Sequence, residues 1–115
     1  VIGKTLSKNK GNLAENKACE FLISQNFKII EKNFYAKKLG EIDIIAKKNS
    51  IYHFCEVKSA NDYETAVNNI SKSKISKLTR SIDYYLQIKN LNTAYTLDAI
   101  IVVDEEITHL ENITF

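Results

Sequence analysis

An α/β domain, with a central mixed five-stranded sheet and helices packed on it in the order α-β-β-β-α-β-β, is the fold this sequence predicts. Three observations carry that expectation. Apolar residues recur at helical spacing in two stretches, about 12–25 and 66–88. Five apolar or alternating runs, over 27–34, 40–46, 51–58, 97–103 and 107–115, read as strands. The chain's 115 residues, 44% of them apolar, suffice for one core and are too few for two.

Residues 1–10 contain Lys4, Lys8 and Lys10 without periodicity and read as a flexible basic arm ahead of a single domain over 11–115. Asn12-Leu13-Ala14-Glu15 resembles a helix start, with Asn12 as the cap and Glu15 at the third helical position. Ala14, Ala18, Phe21 and Leu22 continue it as an apolar stripe to about Gln25. Phe27 to Phe34 is the first strand, and Gly40 to Lys58 supplies the second and third as a hairpin. Ser59 to Thr65 is polar and reads as a loop. Val67, Ile70, Ile75, Leu78, Ile82, Tyr85 and Leu86 keep helical spacing, predicting one helix from about Ala66 to Ile88. Leu97 to Val103 has the near-continuous apolar pattern of a buried strand, and Ile107 to Phe115 is a last alternating one after a turn at Asp104-Glu105-Glu106.

The hairpin is where chemistry concentrates. The strand period of two sends Glu41, Asp43 and Ile45 one way and Ile42, Ile44 and Ala46 the other, while Tyr52, Phe54, Glu56 and Lys58 share a side. With Asn49-Ser50 as a two-residue turn, Asp43 lies opposite Glu56 and Glu41 opposite Lys58, with cross-strand Cβ atoms roughly 5 Å apart. Both strands carry apolar residues on either face, as central strands do, and charge on a central strand needs a partner or a metal.

Two facing carboxylates repel unless one is protonated or a divalent cation lies between them. Mg2+ suits such a pair, with Mn2+ as the alternative, because Mg2+ is held by one or two carboxylates and completes its octahedron with waters and phosphate oxygens. The backbone carbonyl of Val57 is a natural further ligand. Lys58 stands where it can neutralise charge on a phosphate under attack or orient the attacking water. Asp43, Glu56 and Lys58 thus have the layout of a metal-dependent phosphodiesterase. The bland alternative is an ordinary solvated, salt-bridged strand face.

Composition narrows the setting. Cys19 and Cys55 form neither a disulfide framework nor a ligand cluster and read as reduced buried thiols. No long apolar run, signal peptide or lipidation motif is present, so a soluble, cytoplasmic protein without membrane attachment is expected. Residues 1–89 hold all 16 Lys and Arg against 9 acids, and residues 90–115 hold 5 acids and no Lys or Arg. A basic body suits a polyanion such as DNA, and also suits plain solubility. Lys10 in the arm and Lys72 and Lys74 on the second helix are the candidate nucleic-acid contacts, each alternatively a solvated lysine.

The residues also match a known pattern. Gly11-x3-Glu15-x2-Ala18, Asn33, Gly40-Glu41-Ile42-Asp43-Ile44-Ile45-Ala46, Glu56-Val57-Lys58, Lys74, Asp98 and the His109–Phe115 ending resemble the YraN-type bacterial proteins. Those proteins are similar to archaeal Holliday-junction resolvases and to the restriction-endonuclease-like, or PD-(D/E)xK, superfamily. The resemblance implies a restriction-endonuclease-like core in which Asp43 and Glu56 bind Mg2+ and Lys58 assists the attacking water. It also implies that Glu15 approaches the metal from the first helix, where capping the helix start is the competing role. Glu41 is either a Lys58 partner or an outer group. Two positions depart from the pattern: Ala60 and Thr96 stand where relatives carry Arg, and Lys replaces Arg imperfectly as a bidentate phosphate clamp. His53 and His109 lack the spacing of a metal pair and read as satisfied strand residues, and Asp98 as structural.

A Mg2+-dependent endonuclease that hydrolyses DNA phosphodiester bonds, with branched DNA in repair or recombination as a candidate substrate, is the leading expectation. A catalytically inactive nucleic-acid- or protein-binding module on the same fold is the alternative. Resolvase-like proteins act as dimers, so a homodimer is implied by analogy alone.

Overall fold

A computed structural model describes residues 2–113, with side chains from residue 12 onward. The elements are α1 (Ile2–Ser24), β1 (Lys28–Tyr35), a 3-10 turn (Lys37–Leu39), β2 (Glu41–Lys48), β3 (Ile51–Ser59), α2 (Tyr63–Asn68), α3 (Lys72–Ile88), β4 (Tyr95–Val103) and β5 (Glu106–Leu110). The strands form one sheet in sequence order, antiparallel except for the parallel pair β3–β4, which the helical crossover α2–α3 connects. The mixed five-stranded α/β architecture is as expected.

Helices cover both faces. Ala14, Ala18, Cys19 and Leu22 of α1 pack on Ile44, Ala46, Cys55, Ile100 and Val102. On the other face Ile75, Leu78, Ile82 and Tyr85 of α3 pack on Phe34, Ile42, Ile45, Phe54 and Leu97. The short α2 seats Ala66 on Ala99 and Ile101. Burial on both faces explains why β2 and β4 read as apolar runs.

Helix boundaries differ from the sequence expectation in two places. The first helix starts at Ile2, so Asn12 lies inside it and does not cap it, and Glu15 is a mid-helix residue. The second helix is two helices. Asp62 caps α2 by accepting the Thr65 N–H at 2.8 Å, within the stretch expected to be loop. Ser71 caps α3 by accepting the Lys74 N–H at 3.1 Å. Between them Asn68, Asn69 and Ser71 are residues whose side chains compete with helical backbone bonds, and the apolar spacing across the gap concealed the break.

The hairpin register is as expected from the turn as far as Ile44↔Cys55, and the expected pairs Asp43 with Glu56 and Glu41 with Lys58 fall beyond the end of that ladder. Ile44↔Cys55, Ile45↔Phe54, Ala46↔His53, Lys47↔Tyr52 and Lys48↔Ile51 pair around Asn49-Ser50, both left-handed with φ of 52° and 66°. The expected alternation along β2 does not hold throughout. Ile44 and Ala46 face α1, but Ile42 packs with Ile45 on the α3 side. Strand β1 reverses at the same level: Lys32, opposite Ile44, bonds Asn16 of α1 at 2.9 Å, whereas Phe34, opposite Ile42, packs under α3. Between those two pairs Asn33 has φ of 53°. The left-handed residue turns the strand over, and the sheet is creased along Asn33 and Asp43.

Candidate metal centre

Asp43 sits in the crease. The recorded β2–β3 pairing ends at Ile44↔Cys55, and one step further the Val57 N–H donates to Asp43 Oδ2 at 2.8 Å instead of to a carbonyl. The crease therefore points this carboxylate along the sheet, where it substitutes for a ladder bond. Burial, with the charge of Glu56 next, pushes the Asp43 carboxyl up to about 7, and the Val57 hydrogen bond only partly offsets this.

Three more carboxylates surround it. Glu56 lies beside Asp43 on β3, and Glu15 and Glu41 also act on Asp43 through their charge. With its amide nitrogen turned to the acids, Asn33 donates to Glu15 Oε1 and Glu41 Oε1, both at 2.9 Å. Burial raises the Glu15 carboxyl, the Asn33 bond opposes this, and the Glu41 and Glu56 charges add to the rise. Glu15 thus bonds across to β1 and not back to a helix start. Glu41 is held by Asn33, and the Lys58 partner is Glu56, with Nζ 3.1 Å from Oε1.

Helix α3 brings the second cation. Burial lowers the Lys58 ammonium, yet the adjoining Lys74 nitrogen and the Glu56 charge raise it above its ordinary value. Lys74 is lowered by the adjoining Lys58 and by burial. Two lysine nitrogens side by side call for an anion between or beside them. Lys74 also lines a cavity of about 200 Å³ together with Gly40, Glu41, Glu56, Lys77 and Ser81. Gly40, at φ 134°, adopts a backbone conformation that L side chains rarely occupy.

The fold therefore brings together Asp43, Glu56, Lys58, Glu15 and Lys74 of the predicted residues. Val57 joins through its N–H, its side chain packing on the α1 core. Lys72 is exposed at the first turn of α3, and the Lys10 side chain lies outside the described residues. Lys77 and the orienting role of Asn33 were missed. The sequence signal for the latter was the place of Asn33 in the matched family pattern, which assigned it no role.

A second polar cluster lies on the α1 face. Asp98, fully buried, accepts at Oδ2 from His53 Nδ1 and His109 Nε2, both at 2.7 Å. Its Oδ1 accepts from the Thr96 hydroxyl at 2.7 Å and the Asn112 N–H at 3.0 Å. Burial raises a carboxyl, but the bonds from His109, Asn112, Thr96 and His53 outweigh it and hold Asp98 below its ordinary value. Thr96, at a position where an arginine was expected, is part of this network. Cys19 and Cys55 are both free and buried, and burial raises both thiols.

A mixed-sheet α/β protein with its central strands creased around carboxylates and flanked by two lysines is the class these features define. The chain belongs to the family described as uncharacterised protein family UPF0102, which residues 14–102 match. It is 66% identical to a UPF0102 protein of Aliarcobacter butzleri over 95% of this chain and 99% of that protein. A UPF0102 protein of Sulfurimonas denitrificans is 55% identical over 95% and 99% of the two chains. One from Helicobacter hepaticus is 48% identical over 94% and 96%. This is the YraN-type family whose motifs the sequence carries.

Proposed function

We propose that the crease is the active site of a Mg2+-dependent nuclease of the restriction-endonuclease-like superfamily, hydrolysing DNA phosphodiester bonds. The observation that carries the reading is the meeting of Asp43 and Glu56 with the Lys58 ammonium 3.1 Å from Glu56, at the point where the β2–β3 ladder opens. The donor set fits the ion: it is all hard oxygen, and the Asp43 carboxyl, raised to about 7 by burial and then by the Glu56 charge, is one that a bound cation returns to its ionised form.

Asp43 Oδ1 and Glu56 Oε2 are the oxygens not engaged by Val57 or Lys58, and with the Val57 carbonyl they are the group to hold Mg2+; Glu15, held by Asn33, does not converge with both on one point and would act through an intervening water. Bound there, Mg2+ supplies Lewis-acid activation of water and neutralises phosphate charge. Lys58 positions the attacking water or stabilises the pentavalent phosphate, and its bond to Glu56 sets its direction. Lys74, with Lys77 on the next turn of α3, holds the scissile or neighbouring phosphate at the mouth of the cavity. The only arginine is Arg80, so contacts run through lysine point charges to the backbone, which favours recognition of shape over base sequence and makes branched DNA the natural substrate class to test.

The test is cleavage of linear, nicked and four-way-junction DNA in Mg2+ or Mn2+ by the wild type and by Asp43→Ala and Lys58→Ala. Metal-dependent cutting lost in both variants is expected. DNA binding without cutting in all three proteins would establish the inactive binding module in its place.

A further inference from the structure

The His53–Asp98–His109 network has a feature that structural satisfaction alone does not require. Asp98 takes one nitrogen from each ring, His53 Nδ1 and His109 Nε2, both on the same oxygen at 2.7 Å. Thr96 and Asn112 occupy its other oxygen. Each imidazole is thereby fixed in tautomer and direction, with His53 Nε2 and His109 Nδ1 left over. His109 Nδ1 faces Glu111 Oε1 at 3.9 Å. His53 Nε2 has no protein partner among the described residues, where no buried polar side-chain atom lacks one, so this nitrogen reaches water.

His53, His109 and Glu111 each offer a ligand atom within 4.8 Å of the others. Metal-bound histidines characteristically give their second ring N–H to a carboxylate, which sets the tautomer and raises ligand basicity. One buried Asp does this here for two rings at once.

We infer that His53, His109 and Glu111 form a second metal site, separate from the carboxylate crease, for a borderline first-row divalent ion of the Zn2+ type, with Asp98 orienting both imidazoles. Two imidazoles and one carboxylate suit Zn2+ over Mg2+ and leave positions for water. Glu111, with a side chain 59% exposed, has room to change rotamer and close on the ion, while the histidines, at 8% and 10%, are preset. The ion ties the end of β5 to β3, two strands that are not sheet neighbours. An interior set, Cys55, Asp98 and His109, is equally compact. It is the poorer choice because ligation through Asp98 breaks the hydrogen bonds that hold that carboxylate.

The test uses the full chain, stripped with chelator and titrated with Zn2+ by calorimetry and with Co2+ by electronic absorption, in excess Mg2+. One equivalent of Zn2+ that survives Asp43→Ala is expected. Asp98→Asn should weaken that equivalent by about 10- to 100-fold, the usual cost of losing an orienting partner. His109→Ala should cost more, and Glu111→Gln, at an exposed position that leaves folding intact by circular dichroism, should weaken it measurably. Co2+ should give visible d–d bands without a near-ultraviolet thiolate band. Absence of a Zn2+ equivalent, indifference to Glu111→Gln, loss in Asp43→Ala, or a thiolate band marking Cys55 as ligand would each overturn the assignment.

Discussion

Asp43 ordinarily ionises near 3.8, and in the fold it is raised to about 7 by burial and then by Glu56. Between those values the folded protein keeps a proton that the unfolded chain has released, so stability falls as pH rises through this window and levels off above it. At 1.36 kcal/mol per unit the full effect is on the order of 4 kcal/mol, an upper figure for a group that shares its charge with Glu56. Asp43→Asn keeps an oxygen for the Val57 N–H and removes the charge. It should therefore stabilise the metal-free protein by about 1–3 kcal/mol at pH 8 and leave it unchanged at pH 4, as read by urea denaturation. Mg2+ should raise the Tm of the wild type more at pH 8 than at pH 5 and should not raise that of Asp43→Asn. Equal effects at both pH values would remove Asp43 from the binding set.

Among the elements, the β2–β3 hairpin was the most legible because its turn and its register are local. Asn49-Ser50 lies between two alternating runs, and the pairing follows by counting outward. Ser50 occupies a left-handed position, φ 66°, that glycine prefers. Ser50→Gly should therefore stabilise the hairpin by about 0.5–1 kcal/mol, measured as an upward shift in denaturation midpoint without a change in slope. A loss of stability would mean that Ser50 makes an interaction its geometry does not show. In α3, Ser71→Ala removes the acceptor for the Lys74 N–H and should cost about 1 kcal/mol. Lys74 lies in that first turn, so under the proposed nuclease function cleavage should fall by more than the loss of folded protein accounts for. The crease and the histidine network were not legible. The crease turns on one left-handed Asn whose effect on facing leaves no mark in the apolar pattern. The network depends on the parallel register Cys55↔Asp98, which is set across a 35-residue crossover from 60 to 94 by packing and not by any local turn.

Across the whole molecule, helices cover both faces of the sheet, and a cavity lined by Glu41, Glu56 and Lys74 lies beside the crease. Part of the acidic C-terminal charge is already spoken for: Asp98 is held by its histidines, and Glu105 meets Lys17 of α1 at 2.8 Å. Among the described residues the lysines of α3 make no ion pair of this kind. Lys74 has a lysine neighbour, and Lys77 lines the same cavity. DNA affinity should consequently fall steeply with salt, and Lys77→Ala should reduce the slope of log K against log salt by about 0.9 if that residue contacts one duplex phosphate. An unaltered slope would move the DNA path off α3. Among the described residues no helix is long and apolar enough to cross a membrane.

The Val57 N–H is a central-strand amide whose acceptor is a titrating side chain, Asp43 Oδ2 at 2.8 Å. Its proton resonance becomes a built-in reporter of the crease. The chemical shift should follow an inflection near the Asp43 value of about 7. Its solvent exchange should quicken in Asp43→Ala while neighbouring sheet amides stay protected, so the ionisation of one carboxylate can be followed by nuclear magnetic resonance without any substrate.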